Sequence, residues 1–461
     1  MQRQIETLAK IVGGRVRRVA QTLSVKGIST DTRSLKPGDL YIALRGPNFD
    51  GHDFVSDAVA RGAAGIIISR PIPEEQLPEA WVIQVNDTLA ALGDLGRYHR
   101  NQCQATVVAV TGSNGKTTVK EMIHHVLSKD RQGIKSVKSF NNAVGVPLTL
   151  LRLLPTHEFA VVEMGTNGPG EIRYLAGVAR PDVGVITNVS ETHLKGLGSV
   201  DGVAAEKSQL IHSLEPSGVA VLNQDNEHTR EMARRSLCRV VTFGVYQEAD
   251  IQGADITTSE GGLNFTINRE VAVEMNGILG PWNVYNALAA SAVCVSLGLE
   301  LGQIAARLAD YTPPPMRMER SSVNGITFIN DAYNAAPRST RLAVGEFAFM
   351  PCAGRKILVL GDMLELGEQA RLYHERLADQ IMDLNFHAIY AVGELSRHLC
   401  QRITQLRRGV RVRHFDDSEQ AGMALLREAR EGDMVLLKGS REIRLERILE
   451  AFRPHPAVAL S

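Results

Sequence analysis

The sequence predicts an α/β protein of three domains: a central P-loop-containing domain on a mostly parallel sheet, a smaller α/β domain before it, and an open, Rossmann-like α/β domain after it. Three observations carry this. Short apolar runs alternate with helical patterns along most of the 461 residues, as expected of parallel strands covered by helices. One such run, residues 105–110, feeds directly into the glycine-bounded stretch TGSNGKTT. Pro313, Pro314 and Pro315 fit neither a helix nor a central strand, so they mark a linker.

The first unit, residues 1–104, opens on an amphipathic segment with Ile5, Leu8, Ala9 and Val12 on one face. Strand-like runs follow at residues 40–44 and 65–68. Between them NFDGHDFVSDAVARGA reads as a turn and then a helix over about residues 52–61, stopped by Gly62. The polar stretch RYHRNQCQ closes the unit. The second unit, residues 105–314, repeats apolar runs at residues 105–110, 159–164, 183–189 and 219–222. Beyond the prolines, residues 315–461 place strands at 326–330, 356–360, 388–392 and 434–437 between helical stretches.

Composition narrows the function. Lys plus Arg and Asp plus Glu both total 51, so no global charge points to nucleic acid or an anionic membrane. Cys103, Cys238, Cys294, Cys352 and Cys400 form no C-x-x-C pair, which speaks against a disulfide framework or zinc site and suits a reducing compartment. The amino terminus lacks a signal-peptide pattern, and no run approaches the about 20 apolar residues of a membrane span. A cytoplasmic protein is expected.

The stretch AVTGSNGKTT is built to hold a polyphosphate. Gly112 and Gly115 let the backbone of Ser113 and Asn114 turn inward, and a helix beginning near Lys116 adds the positive end of its dipole. Lys116 would reach the outer phosphates and Thr117 a magnesium ion, with Thr118 beside it in the nucleotide-binding loop. Val110 stands where the longer P-loop pattern has glycine, leaving a shortened loop. Glu163 ends the apolar run FAVVE and His193 follows the next run in TNVSETHLKG, so both fall at the edge of the sheet where ligands bind. A carboxylate and an imidazole beside a phosphate loop suggest a second metal ion. Lys207, read from helix propensity alone, is a solvated helix lysine.

TGSNGKTT, EMG, THLKG, AAEKSQL, the asparagines of GPWNVYNALAA, PMRME and NDAYNAAPRS occur in the order found in the Mur ligases, and the chain resembles that family through all three units. STDTRSLKPGDLYIALRG, NFDGHDF, DAYNAAP and LGDMLELG resemble the members that add a dipeptide. The resemblance implies ATP-dependent joining of D-alanyl-D-alanine to UDP-N-acetylmuramoyl-tripeptide through an acyl phosphate, giving the pentapeptide precursor of peptidoglycan. It implies a monomer without nucleic-acid or membrane partners.

Carried over by residue, the resemblance gives Lys116 to the transferring phosphoryl group, and Thr117 with Glu163 to a first magnesium. His193 joins a second magnesium through Lys207, which would be carbamylated and so become an anionic oxygen ligand. Asn283 and Asn286 would meet the nucleotide from the central domain. Asp331 would meet its ribose, and Arg317 its phosphates, from the last. Ser29, Asp31, Thr32 and Arg33, with Asn48, Phe49, Asp50, Gly51 and His52, would receive the uridine nucleotide, although turn and cap roles explain these residue types equally well. Asn141, Asn142 and Asn334 would line the peptide path. Ala336 stands where the family usually has asparagine, which removes a cap before Pro337.

Two other readings compete. A related ligase adding one amino acid, or glutamate to folate, shares the phosphate loop but not the DAYNAAP and LGDMLELG pair. A guanine-nucleotide switch would carry N-K-x-D, and residues 223–226 read Asn-Gln-Asp-Asn.

Overall fold

The computed structural model describes residues 5–19, 24–73, 80–259, 261–406 and 409–452; of the amphipathic opening, residues 1–4 and the Ile5 side chain lie outside them. Three sheets follow one another along the chain, with five, nine and six strands.

In the first sheet Gly27–Ser29, Asp39–Ile42, Gly65–Ile68 and Trp81–Gln84 run parallel, and Arg15–Arg18 lies antiparallel on the edge. Alternate residues bury on opposite faces. Leu40, Ile42, Ile67 and Ile83 pack with Leu8 and Val12, whereas Tyr41, Ile66 and Val82 pack with Val55 and Ala58. Both faces being covered explains why these runs read as continuously apolar. The helix expected over residues 52–61 divides into a 3-10 turn at Gly51–Phe54 and an α-helix at Val55–Ala60, because Asp50 caps the tighter turn through the His52 N–H.

Helix Thr88–Arg100 joins this unit to the next. Asp87 caps it by accepting from the Leu89 and Ala90 N–H groups. A Cβ at Gly93 would lie 2.2 Å from the Tyr174 hydroxyl, and one at Gly96 would lie 2.9 Å from Pro147 Cα. The missing side chains therefore let the helix approach Glu171–Ala179 and Gly145–Leu150 closely.

The central sheet has a parallel core in the order Gly133–Lys135, Phe159–Glu163, Thr106–Thr111, Val183–Ile186, Val219–Asn223, Arg239–Gly244. Thr106–Thr111 lies between Phe159–Glu163 and Val183–Ile186, so the loops leaving all three emerge side by side. The strand expected over residues 183–189 stops at Ile186, since Thr187 and Asn188 turn to hold the phosphate loop. Three further strands, Ile251–Ser259, Gly262–Ile267 and Val271–Asn276, extend the sheet as an antiparallel meander. Leu263, Phe265, Ile267, Val273 and Met275 bury one face of it only. A search for continuous apolar runs passes over such alternation.

The last sheet runs Glu319–Val323, Ile326–Asn330, Met434–Lys438, Lys356–Gly361, Ala388–Val392, Arg411–Phe415, parallel except for its first strand. The two edge strands, Glu319–Val323 and Arg411–Phe415, are polar and half-exposed, unlike the four apolar runs legible in the sequence. The carboxyl ends of Ile326–Asn330 and Met434–Lys438 face the central phosphate loop. Among the described residues the five cysteines form no disulfide, and no helix is long and apolar enough to cross a membrane.

Candidate active site

A cavity of about 450 Å³ lies between the central and last sheets, walled on one side by the phosphate loop and on the other by Arg317, Asp331, Asn334 and Lys438. The loop owes its shape to glycine. Gly112 has φ +146°, and a Cβ there would lie 1.9 Å from Thr187 Oγ1. Gly115 has φ +86° at the entry to helix Lys116–Leu127, whose first N–H groups have no intrahelical acceptor and so suit phosphate oxygens. The loop is anchored from behind. Ser113 N donates to Asn188 O at 2.8 Å, Asn114 N to Asn188 Oδ1 at 3.1 Å, and Thr187 Oγ1 to Asn114 O at 2.6 Å. Lys116 Nζ donates to Gly112 O at 2.8 Å, folded back over its own loop. Burial lowers the Lys116 pKa from its ordinary value, Glu163 opposes that shift, and Arg317 adds to it. Thr117 and Thr118 are buried in the first turn of the helix.

Glu163 is buried at the end of its strand. Asn141 Nδ2 donates to its Oε1 at 2.9 Å, whereas Oε2 accepts no hydrogen bond and lies 3.5 Å from the Lys120 ammonium. Lys120 is itself spent on the Ser136 and Lys138 carbonyls. An orphaned carboxylate oxygen on a residue that lines the same cavity as Thr117 suits a hard cation whose remaining ligands are phosphate oxygens and water. Among the described residues no three His, Cys, Asp or Glu side chains form a metal-holding group of their own. The residues thus fit a cation that arrives with its nucleotide.

Lys207 is 1 % exposed on helix Val200–His212, so it is not the solvated lysine that propensity suggests. Burial first, and the charge of Lys116 second, hold its pKa well below the ordinary lysine range. Among the described residues no carboxylate lies within ion-pair distance of its ammonium. An unpartnered amine whose burial disfavours its charged form is the kind of group that carbon dioxide converts to a carbamate.

His193 stands at φ 54°, with Nδ1 2.7 Å from Glu365 Oε2 of the last domain, close but not aligned as a hydrogen bond. The imidazole beside Glu365 holds that carboxyl below its ordinary range. Asn283 Nδ2 donates to Leu279 O and Asn286 Nδ2 to Asn283 Oδ1; both line the cavity, and Asn286 presses on Gly115. Asn141 and Asn142 also line it, Asn142 while capping helix Gly145–Leu150 through the Val144 and Gly145 N–H groups.

From the last domain, Arg317 donates to Thr117 Oγ1 and lies over the Tyr333 ring. Asp331 pairs with Lys438 Nζ at 2.6 Å and accepts from the Met318 N–H. Lys438 also donates to the Asn334 carbonyl at 2.8 Å. Sequence reasoning missed Lys438 and assigned Glu365 no role. The signal for Lys438 was an apolar strand ending in Lys-Gly-Ser at the ligand edge of an open sheet. Ala336 occupies the cap position before Pro337 with no oxygen to offer. Ser339 compensates in part, its Oγ accepting from Ala336 N and donating to Ala336 O.

The residues expected to receive uridine lie elsewhere, at the carboxyl edge of the first sheet. Asp31 caps residues 32–34 and pairs with Arg33 at 2.6 Å; Ser29 Oγ donates to Asp31 O. Thr32 is buried beside them. Asp50 caps the next turn and contacts the buried His52 ring at 2.6 Å, while the Tyr41 hydroxyl donates to Gly51 O. Asn48 and Phe49 form the tip, with Phe49 74 % exposed. Ser29, Asp31, Arg33, Asp50 and His52 each have a local structural partner, yet the two turns share one edge and present an aromatic ring to solvent.

A nucleotide-binding loop, a buried carboxylate and lysine beside it, and a second α/β domain closing over both describe an enzyme that activates a substrate with a nucleoside triphosphate. Comparison with known proteins agrees. The Mur ligase family, catalytic domain, matches residues 24–100; the Mur ligase middle domain matches residues 110–294; and the Mur ligase, glutamate ligase domain, matches residues 316–441. The chain belongs to the Mur ligase family. Within it, the chain is most like the UDP-N-acetylmuramoyl-tripeptide–D-alanyl-D-alanine ligases: it is 36 % identical to that of Bacillus subtilis over 98 % of both chains, and 33 % identical to that of Escherichia coli over 97 % of this chain and 98 % of the other. Among solved structures it is similar to MurF from Acinetobacter baumannii, with TM-score 0.89, 31 % identity and 98 % and 99 % coverage. It is also similar to MurF from Thermotoga maritima in complex with ADP, with TM-score 0.82, 28 % identity and 93 % and 97 % coverage.

Proposed function

We propose that this chain is an ATP-dependent ligase that joins D-alanyl-D-alanine to UDP-N-acetylmuramoyl-tripeptide in the cytoplasm, forming the pentapeptide precursor of peptidoglycan. The observation that carries the reading is the pairing of Lys116, Thr117 and Glu163 with Arg317, Asp331 and Lys438 across one cavity, in a chain matched end to end by relatives of that name.

The reaction divides into two displacements. A carboxylate oxygen of the tripeptide attacks the γ-phosphorus of ATP and ADP leaves; the dipeptide amine then attacks the acyl carbon and inorganic phosphate leaves with the former carboxylate oxygen. Such chemistry needs positioning and charge neutralisation more than a covalent group from the protein. Lys116 supplies a cation that leaves the Gly112 carbonyl for the outer phosphates, while the loop N–H groups cradle them. Magnesium, when bound, would neutralise the phosphates and polarise the transferring group. Thr117 and Glu163 would hold one such ion, with Asn141 fixing the carboxylate. His193 and a carbamylated Lys207 would hold a second. Asn283, Asn286, Asp331 and Arg317 would embrace the rest of the nucleotide, and the apposed domains keep water from the acyl phosphate.

We assign residues 1–104 to recognition of the uridine nucleotide, residues 105–314 to ATP, and residues 315–461 to closure and the dipeptide. The edge formed by residues 29–33 and 48–52 would take the uridine, with Phe49 offering a stacking face. Asn142 and Asn334 would flank the peptide between the two sites. Purified protein given ATP, magnesium and UDP-N-acetylmuramoyl-tripeptide should release ADP only when D-alanyl-D-alanine is added. Release with a single amino acid but not with the dipeptide overturns the assignment.

A further inference from the structure

His193 and Glu365 meet across the domain interface from two loops of unusual backbone. Both are non-glycine residues in the left-handed region, at φ 54° and φ 65°. Such conformations cost of order 1 kcal/mol or more and persist where the surroundings impose them. Their side chains meet at ion-pair distance, His193 Nδ1 2.7 Å from Glu365 Oε2 and short of hydrogen-bond alignment, so a small turn of the ring completes the bond. A backbone bond lies beside the contact, from Lys195 N–H to Glu365 O at 3.2 Å. Gly367, at φ +58°, leaves room for the Lys195 backbone, to which an added Cβ would come within 3.3 Å.

The platform under Glu365 is braced. Met363 and Leu366, on either side of it, are buried. The Met363 N–H donates to His374 Nε2 at 3.1 Å, and the Leu364 N–H donates to Ser440 Oγ at 3.0 Å. Asp362 accepts from the Leu395 and Ser396 N–H groups. Glu365 is therefore delivered to His193 by a rigid element, although half of its own side chain is exposed to the cavity.

A histidine that binds a metal through one ring nitrogen has its orientation and tautomer set by the partner of the other, most often a carboxylate. With Nδ1 turned to Glu365, Nε2 is the nitrogen left for a ligand. We infer that Glu365 is a positioning residue that sets the tautomer and orientation of His193, and that the His193 arm of the site is completed only when the last domain closes. This rests on the ligase reading for its catalytic consequence and on geometry alone for the contact. It gives closure a chemical result: the carboxylate that prepares the histidine is carried by the moving domain.

The test uses full-length protein with nitrogen-15 histidine, the His193 signals being assigned by their loss in His193→Gln. Wild-type protein closed by a non-hydrolysable ATP analogue without magnesium should show His193 with its proton on Nδ1; Glu365→Ala should shift it toward the other tautomer, and Glu365→Asp should lie between. In ADP-release assays Glu365→Ala should raise the magnesium concentration for half-maximal rate about tenfold to a hundredfold, with KM for the tripeptide unchanged. A wild-type tautomer or a wild-type magnesium requirement in Glu365→Ala overturns the inference. Were wild-type protein to release no ADP, the ligase reading would fall, and the tautomer measurement would still decide the His193–Glu365 link.

Discussion

Arg317 Nη2 donates to Thr117 Oγ1 at 3.2 Å, joining the segment that leads into the last domain to the first turn of the phosphate-loop helix. The guanidinium carbon lies 4.1 Å from the Tyr333 ring centroid, and its Nε is buried without an acceptor. A stacked, forked cation with a donor to spare is suited to phosphate oxygens. Its bond to Thr117 holds the domains together at the place a nucleotide would bridge.

Arg317→Met should therefore raise KM for ATP about tenfold or more, since hydrogen bonds to charged groups contribute about 1.5–3 kcal/mol. Arg317→Lys should fall between, because an ammonium cannot stack and fork at once. Steady-state kinetics at saturating tripeptide measures this; an unchanged KM in Arg317→Met would remove Arg317 from the nucleotide site.

Gly115→Ala should abolish ATP binding with modest loss of stability. The position has φ +86°, and the new Cβ would lie 2.4 Å from Asn286 Oδ1, so both the loop and Asn286 must shift. Left-handed backbone alone costs an L-residue about 1–2 kcal/mol. Calorimetric titration with a non-hydrolysable ATP analogue reads the outcome, and wild-type affinity would show that the loop tolerates the strain.

Lys207→Met should remove turnover while leaving the thermal midpoint unchanged or higher, because a buried amine without a counter-charge is replaced by a side chain of similar length. Depleting dissolved carbon dioxide should lower wild-type activity reversibly, and bicarbonate should restore it. Full activity in Lys207→Met would return Lys207 to a purely structural role.

His374 predicts how stability depends on pH. Burial pushes its pKa below the ordinary 6.5, and the ring must stay neutral to accept the Met363 N–H at Nε2 while Nδ1 faces the Ala370 carbonyl. The unfolded chain binds the proton more readily, so stability rises with pH in this range. The contribution of His374 is complete above pH 6.5 and declines as pH falls through the lower folded value. Urea midpoints from pH 7.5 to 5 should show less acid loss in His374→Leu than in wild type; parallel curves would contradict this.

The phosphate loop and Glu163 were legible in the sequence because each joins an apolar strand to a polar end, a pattern local in the chain. Lys207 was not, since Glu206, Ser208 and Gln209 make its helix look solvated; only resemblance marked it. Glu365 and Lys438 reach the cavity from strands and loops far along the chain, and no local pattern reports which edge of one sheet faces another. The meander of residues 251–276 was missed because half of each strand is exposed. In the first domain Ser29, Asp31 and Asp50 have local roles that explain their identities without a ligand, so a contact role leaves no separate mark in the sequence there.

The fate of one oxygen atom tests the acyl-phosphate account most directly. UDP-N-acetylmuramoyl-tripeptide labelled with oxygen-18 in its terminal carboxylate is turned over with ATP and D-alanyl-D-alanine, and the inorganic phosphate is read by phosphorus NMR. The account predicts one labelled oxygen in each phosphate formed from a labelled carboxylate oxygen that attacked phosphorus. Phosphate carrying no label, with all of the oxygen-18 remaining in the peptide or released to water, would contradict it.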